Sequence, residues 1–107
     1  MVYEYRVISL DKVHDGDTIW ATLDVGFYMT RQSRPYRLLR IDSPEMNTQA
    51  GKDAQIWLSM FLYGKPLVIQ TFKSDSFGRF LAEIVASGEN VSDALVSAGH
   101  AAYKSYA

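Results

Sequence analysis

Residues able to do chemistry gather in three short islands of this chain. They are Asp15-Gly16-Asp17-Thr18, then Arg37-Leu38-Leu39-Arg40-Ile41-Asp42-Ser43-Pro44-Glu45, then Asp75-Ser76-Phe77-Gly78-Arg79. Their useful members are carboxylates and guanidinium groups in turns or at strand ends. Carboxylate oxygens suit a hard divalent cation, and the planar guanidinium fork suits bidentate contact with phosphate oxygens. A hard cation, a spare carboxylate and two arginines are the parts needed to hydrolyse a phosphodiester. No single island is specific; the three in this order are.

Composition narrows the chemistry further. The chain has no cysteine, which excludes disulfides, iron–sulfur clusters and thiolate zinc sites. His14 and His100 are too few for an ordinary zinc centre, which moves any metal towards calcium, magnesium or manganese. A length of 107 residues predicts one domain, 1–107, built on one core, and a hydrophobic fraction of 48% argues against disorder. No run approaches the ~18 apolar residues of a membrane span. Met1-Val2-Tyr3-Glu4-Tyr5-Arg6 does not read as a signal peptide. The expected compartment is therefore the cytoplasm, with a secreted form that has lost a leader as the alternative. A net charge of −1 is awkward for a nucleic-acid partner. Arg31, Arg34, Arg37 and Arg40 offer a local basic patch in compensation; scattered arginines on a solvated turn are the equal alternative.

The elements that must position these islands follow from pattern. Tyr3 to Val13 is rich in β-branched and aromatic residues and ends at a turn signal. Thr18 to Leu23 follows as a second strand, so the Asp-Gly pair closes a hairpin. Residues 24 to 35, containing Gly26 and Pro35, read as a connection, and Tyr36 to Ile41 as the third strand. Ala54, Trp57, Leu58, Phe61 and Leu62 mark one apolar helical face, with Gly64 as a left-handed cap and Pro66 beyond it. Leu67 to Phe72 and Phe80 to Ala86 are strands four and five. Asn90 caps a second helix whose apolar face is Val91, Ala94, Leu95 and Ala98, ended by Gly99. The fold class predicted is α+β and predominantly β. It is a five-stranded OB-fold barrel with a helix between strands three and four and a second helix after strand five.

With motifs and element order in place, the chain resembles the staphylococcal (micrococcal) nuclease family, the thermonuclease-like proteins, from about Val7 to His100. The resemblance rests on Asp15-Gly16-Asp17-Thr18, on Arg37-Leu38-Leu39 leading to Asp42-Ser43-Pro44-Glu45, on Phe77-Gly78-Arg79, and on Val91 to Gly99. It implies a calcium-dependent nuclease acting on DNA and RNA. Asp17 and Asp42 would then bind Ca2+ with the Ser43 carbonyl, Glu45 would activate water, and Arg37 and Arg79 would grip the phosphate. Those three carboxylates, one divalent cation and two guanidinium groups leave a single net positive charge, which suits a phosphodiester. A non-catalytic OB-fold module that binds nucleic acid or protein is the alternative.

Departures from the family pattern are also visible. Ser43 stands where threonine is frequent, Ser76 where a lysine occurs, and Phe77 where a tyrosine occurs. The loop from Met46 to Lys52 is short, and the stretch after Gly99 lacks the family's third helix. Tyr103 and Tyr106 are expected to pack over the apolar surface that helix would shield, with a monomer or a weak homodimer as the outcome. Asp15 reads as a hairpin-turn residue and His14 as an exposed neighbour of the turn rather than a general acid. Strict strand alternation sets a further condition. Arg37 and Asp42 have opposite parity, so both can face one site only if the strand bends or ends between them.

Overall fold

A computed structural model describes residues 3–74 and 79–104. The expectations placed on Asp75-Ser76-Phe77-Gly78 and on Tyr106 lie outside the described residues. In chain order the elements are β1 (Tyr3–Asp15), β2 (Thr18–Gly26), β3 (Met29–Leu38), β4 (Ile41–Asp42), α1 (Gln49–Leu62), β5 (Leu67–Ser74), β6 (Phe80–Ala86), β7 (Glu89–Asn90), α2 (Val91–Ser97) and β8 (Ala102–Tyr103). The main sheet runs β3-β2-β1-β5-β6-β7, and β3 also pairs with β6, which closes five strands into a barrel. That closing pair is parallel, with Tyr36 opposite Phe80 and Arg37 opposite Leu81. Closure leaves no free edge between β3 and β6 where they meet. The architecture is the OB-like barrel with two helices that the sequence predicts.

Period-two alternation builds the core. Ile19, Ala21 and Leu23 of β2 point inward, as do Tyr36 and Leu38 of β3 and Ala82, Ile84 and Ala86 of β6. Leu58 and Leu62 of α1 and Val91 and Leu95 of α2 seal the interior. Trp57 packs against this core and stacks on Phe61 at 4.7 Å, so the ring is structural. Three register shifts between β1 and β2 coil the long first strand, allowing it to pair with β2 and also with β5. Among the described residues, no helix is long and apolar enough to cross a membrane.

Two expectations about the strands need correction. The stretch 24–35 is not an irregular connection but the outer part of a β2–β3 hairpin, joined by the two-residue loop Phe27-Tyr28. Both loop residues have positive φ (56° and 58°), as a two-residue type I′ hairpin loop requires. Such positions favour Asn-Gly; here two aromatic rings occupy them and project into solvent, Phe27 being 94% exposed. The double substitution F27N/Y28G should therefore stabilise the fold by about 1 kcal/mol. A urea-unfolding midpoint that stays level or falls would contradict this.

The third strand also stops early, at Leu38 rather than Ile41. Leu39 and Arg40 form a turn, with Arg40 in the left-handed region at φ 69°, before β4 resumes at Ile41. This break removes the parity conflict between Arg37 and Asp42. The turn is tied down from three sides: Leu39 N donates to Ala82 O at 2.9 Å, Ser92 Oγ donates to Leu39 O at 3.0 Å, and Lys104 N donates to Arg40 O at 2.7 Å.

Candidate active site

The Asp15-Gly16-Asp17-Thr18 turn, the β3–β4 corner and the start of β6 converge on one side of the barrel. Gly16 lets the turn approach closely, since a Cβ there would lie 2.8 Å from Ser43 Cβ and 2.9 Å from Ala54 Cβ. The turn therefore seats directly on the residues that carry the second island and on α1. Leu38 N donates to Asp17 O at 2.8 Å, which stitches the two islands together through the backbone.

Arg37 sits at the centre, only 7% exposed. Its Nη1 donates to the carbonyls of Leu38 (2.8 Å) and Ile41 (3.1 Å), fixing the guanidinium plane. Its Nη2 lies 3.3 Å from Asp17 Oδ2 and 3.2 Å from Asp42 Oδ1. One nitrogen thus draws together carboxylates 25 residues apart in sequence. Asp17 also accepts from Ser43 N at 3.1 Å and from Thr18 Oγ1 at 3.3 Å. Half-buried Arg79 reaches the same turn, its Nη1 donating to Thr18 Oγ1 at 3.3 Å. Asp42 is more open, with Lys104 Nζ 4.0 Å from its Oδ2.

The acidic turn holds an unequal pair. Burial pushes the Asp15 carboxyl up, and the hydrogen bond and charge of Asp17 add to the rise, to about 6. Burial also pushes Asp17 up. The hydrogen bond from Asp15, the charge of Arg37 and the Ser43 N–H outweigh that effect and hold Asp17 below the ordinary carboxylate range. Asp15 additionally accepts from Asp17 N at 3.0 Å. That bond closes the turn on the backbone of Asp17, the turn role that the sequence assigns to Asp15.

Glu45 is exposed, and no contact of its carboxylate with the other predicted residues is described. Its backbone is held instead. Thr48 donates to the Glu45 carbonyl from both N (3.0 Å) and Oγ1 (2.6 Å), while the same hydroxyl caps α1 by accepting from Gly51 N at 3.0 Å. A Cβ on Gly51 would collide with the Glu45 carbonyl and lie 2.9 Å from that of Pro44. Thr48 and Gly51 are thus positioning residues that the apolar stripe did not reveal. Thr48 is an N-cap residue type directly before the helix, a signal that could have marked it; Gly51 carries no such signal.

The four arginines between 31 and 40 do not make one basic patch. Arg37 is buried in the cluster just described and Arg34 is exposed. Arg31 lies over the Phe80 ring at 4.7 Å. Arg40 serves the fold: it bonds Glu83 (2.6 Å), Asp93 (2.9 Å) and Asn90 (3.2 Å), joining the β3–β4 turn to β6 and the head of α2. Tyr103 does not bury itself either. It is 58% exposed, donates its hydroxyl to Asp93 at 2.8 Å and places its ring 6.0 Å from the Arg40 guanidinium.

The donor set fits a hard cation. Asp17 and Asp42 offer oxygen atoms that already share one cationic partner, and a divalent ion bound there would compete with Arg37 Nη2 for those atoms. Among the described residues no cluster of three or more acidic, histidine or cysteine side chains gathers for a metal, so backbone carbonyl and water would complete the shell.

A closed OB-like barrel bearing carboxylates and arginines on one side is an architectural class that leaves the activity open. Comparison with known proteins makes the class specific. A family model described as staphylococcal nuclease homologue matches residues 35–107. An uncharacterized endonuclease of Escherichia coli O157:H7 is 33% identical over 113 residues, covering 98% of this chain and 70% of that protein. A probable staphylococcal-like nuclease of Oryza sativa subsp. japonica is 30% identical over 71 residues, covering 64% of this chain and 19% of that protein. The chain belongs to the staphylococcal nuclease family.

Proposed function

We infer that this protein is a calcium-dependent nuclease hydrolysing phosphodiester bonds of DNA and RNA. The observation that carries the reading is Arg37 Nη2 held between Asp17 and Asp42, with Arg79 on the adjoining Thr18. Membership of the family and the endonuclease among its relatives support it.

In this reading Asp17 and Asp42, with the Ser43 carbonyl, hold Ca2+. The ion supplies Lewis-acid polarisation and a template for the phosphate. Glu45 accepts the proton of the attacking water, whose oxygen forms the new P–O bond as the bond to the leaving oxygen breaks. Its exposure leaves the carboxylate open to solvent water, while Thr48 and Gly51 fix the backbone from which it extends. Arg37 and Arg79 take non-bridging oxygens and stabilise the charge that gathers on them. Arg37 needs little reorganisation for this, because Nη1 stays anchored on two carbonyls.

The test is incubation of the purified protein with labelled single-stranded DNA and RNA, in calcium and in excess chelator. Fragments are expected from both substrates in calcium alone; no release from either would overturn the reading. A second expectation arises from the helix start. Gly→Ala inside a helix ordinarily gains up to ~1 kcal/mol. At Gly51 the added Cβ must displace the Glu45 carbonyl, so Gly51→Ala should lose stability and lower turnover by roughly ten-fold or more. A more stable variant of unchanged rate would show that this close approach does not position Glu45.

A further inference from the structure

A third cation reaches the candidate site from a stretch of chain that none of the three islands covers. The short pair β4–β8 sets Asp42 opposite Ala102 and Ile41 opposite Tyr103. Alternation then puts Lys104, two residues beyond Ala102, on the same face as Asp42 and diagonal to it. Its Nζ lies 4.0 Å from Asp42 Oδ2, while Arg37 Nη2 lies 3.2 Å from Oδ1 of the same carboxylate. Asp42 therefore stands between two cations, one beside each oxygen.

The backbone that delivers this lysine is firmly held. Lys104 N donates to Arg40 O at 2.7 Å. Tyr103, one residue earlier, donates its hydroxyl to Asp93 at 2.8 Å and places its ring 6.0 Å from the Arg40 guanidinium, which itself bonds Glu83 and Asn90. The side chain of Lys104 is held far less, being 55% exposed. A pair at 4.0 Å between two half-exposed groups is weak, and the ammonium rides on a flexible four-carbon stem. An anchored backbone under a loosely paired ammonium suits a cation that exchanges one anionic partner for another.

Charge decides which partner that is. Asp17, Asp42 and Glu45, one divalent cation, Arg37 and Arg79 leave a single positive charge, already matched by the scissile phosphodiester. Lys104 adds one more, and the next phosphate of the same strand supplies the anion to meet it. We propose that Lys104 binds a non-bridging oxygen of the phosphate adjoining the scissile one. It thereby makes an oligonucleotide a better substrate than an isolated phosphodiester. The proposal rests on the nuclease reading for the identity of its ligand.

The test compares wild type, Lys104→Gln and Lys65→Gln in calcium, on an eight-residue oligothymidylate and on dithymidine monophosphate, which has a single phosphodiester. Lys65 is the control: it follows the C-terminal end of α1, with its Nζ 3.6 Å from the centroid of Phe61, so its loss removes the same charge away from the site. Lys104→Gln should raise KM for the octamer by roughly five-fold or more, the scale of one charged hydrogen bond. Its kcat, its KM for the dinucleotide and its melting temperature should match wild type. The log–log dependence of octamer KM on salt should flatten by about 0.7, as for one phosphate contact on a single strand. Calcium binding, measured by calorimetry without nucleic acid, should be no weaker than in wild type, because a competing cation is gone. An unchanged octamer KM would overturn the proposal. So would a KM loss shared by the dinucleotide or matched by Lys65→Gln, a fall confined to kcat, or weakened calcium binding. Failure of the nuclease reading is seen separately, as octamer left uncut by wild type in calcium.

Discussion

Glu45→Gln should lower turnover by ~10²-fold or more while leaving the protein folded and its calcium binding intact. The carboxylate is exposed and no bond from it to another described side chain is found, so its loss removes no structural contact. Stability should then stay within about 0.5 kcal/mol of wild type, as is usual for a surface substitution. Glutamine keeps the size and one acceptor oxygen but cannot take a proton from water, which isolates the general-base role. Turnover measured on a single-stranded oligonucleotide, beside a thermal melt of the same preparation, separates the two quantities. Near-normal turnover would place the base elsewhere; a collapsed melt would mean that Glu45 has a structural duty the contacts do not reveal.

Arg37→Ala has the larger structural consequence. The residue is 7% exposed, and its guanidinium bonds two carbonyls and lies against two carboxylates. Removal strands the buried Asp17 charge, and breaking a buried pair from one side costs about 3–5 kcal/mol. Turnover should fall as well, since a comparable preorganised contact contributes about 2.7–4 kcal/mol to the activation barrier. Arg37→Lys should rescue neither property in full, because an ammonium on a flexible stem cannot bond two carbonyls and two carboxylates in one plane. Calcium should recover part of the lost stability of Arg37→Ala by neutralising Asp17 and Asp42. A variant as stable as wild type without calcium would contradict the central place given to this side chain.

The barrel was legible wherever burial imposes a period. Ile19, Ala21 and Leu23 alternate because one side of β2 faces the core, and the stripe from Ala54 to Leu62 shows because α1 presents one face to it. The outer β2–β3 arm has no such imprint. Residues such as Thr30, Gln32 and Arg34 are exposed, so nothing in their order announces a strand, and Gly26 and Pro35 look like breakers. Helix α1 likewise begins at Gln49 rather than at the first stripe residue, because most of its first turn faces solvent.

The site divides along similar lines. Asp17, Arg37, Asp42 and Arg79 sit in motifs whose spacing is itself the signal, and the fold brings all four to the turn at Asp17 and Thr18. Thr48 and Gly51 could not be read that way, since their work is a capping bond and an absent Cβ. Arg40 takes its three partners from β6 and the head of α2, across distances that only the closed barrel sets.

One measurement bears most directly on the claim that a calcium ion between Asp17 and Asp42 organises hydrolysis beside Arg37. The rate of cleavage of a single-stranded oligonucleotide is followed against calcium concentration for wild type and for Asp42→Asn. Asp42 is 53% exposed in its side chain, so the substitution leaves the core untouched. Losing one of two anionic ligands should move the calcium midpoint upward by roughly ten-fold or more. Superimposable calcium curves for the two proteins, or rates that ignore calcium altogether, would contradict the account.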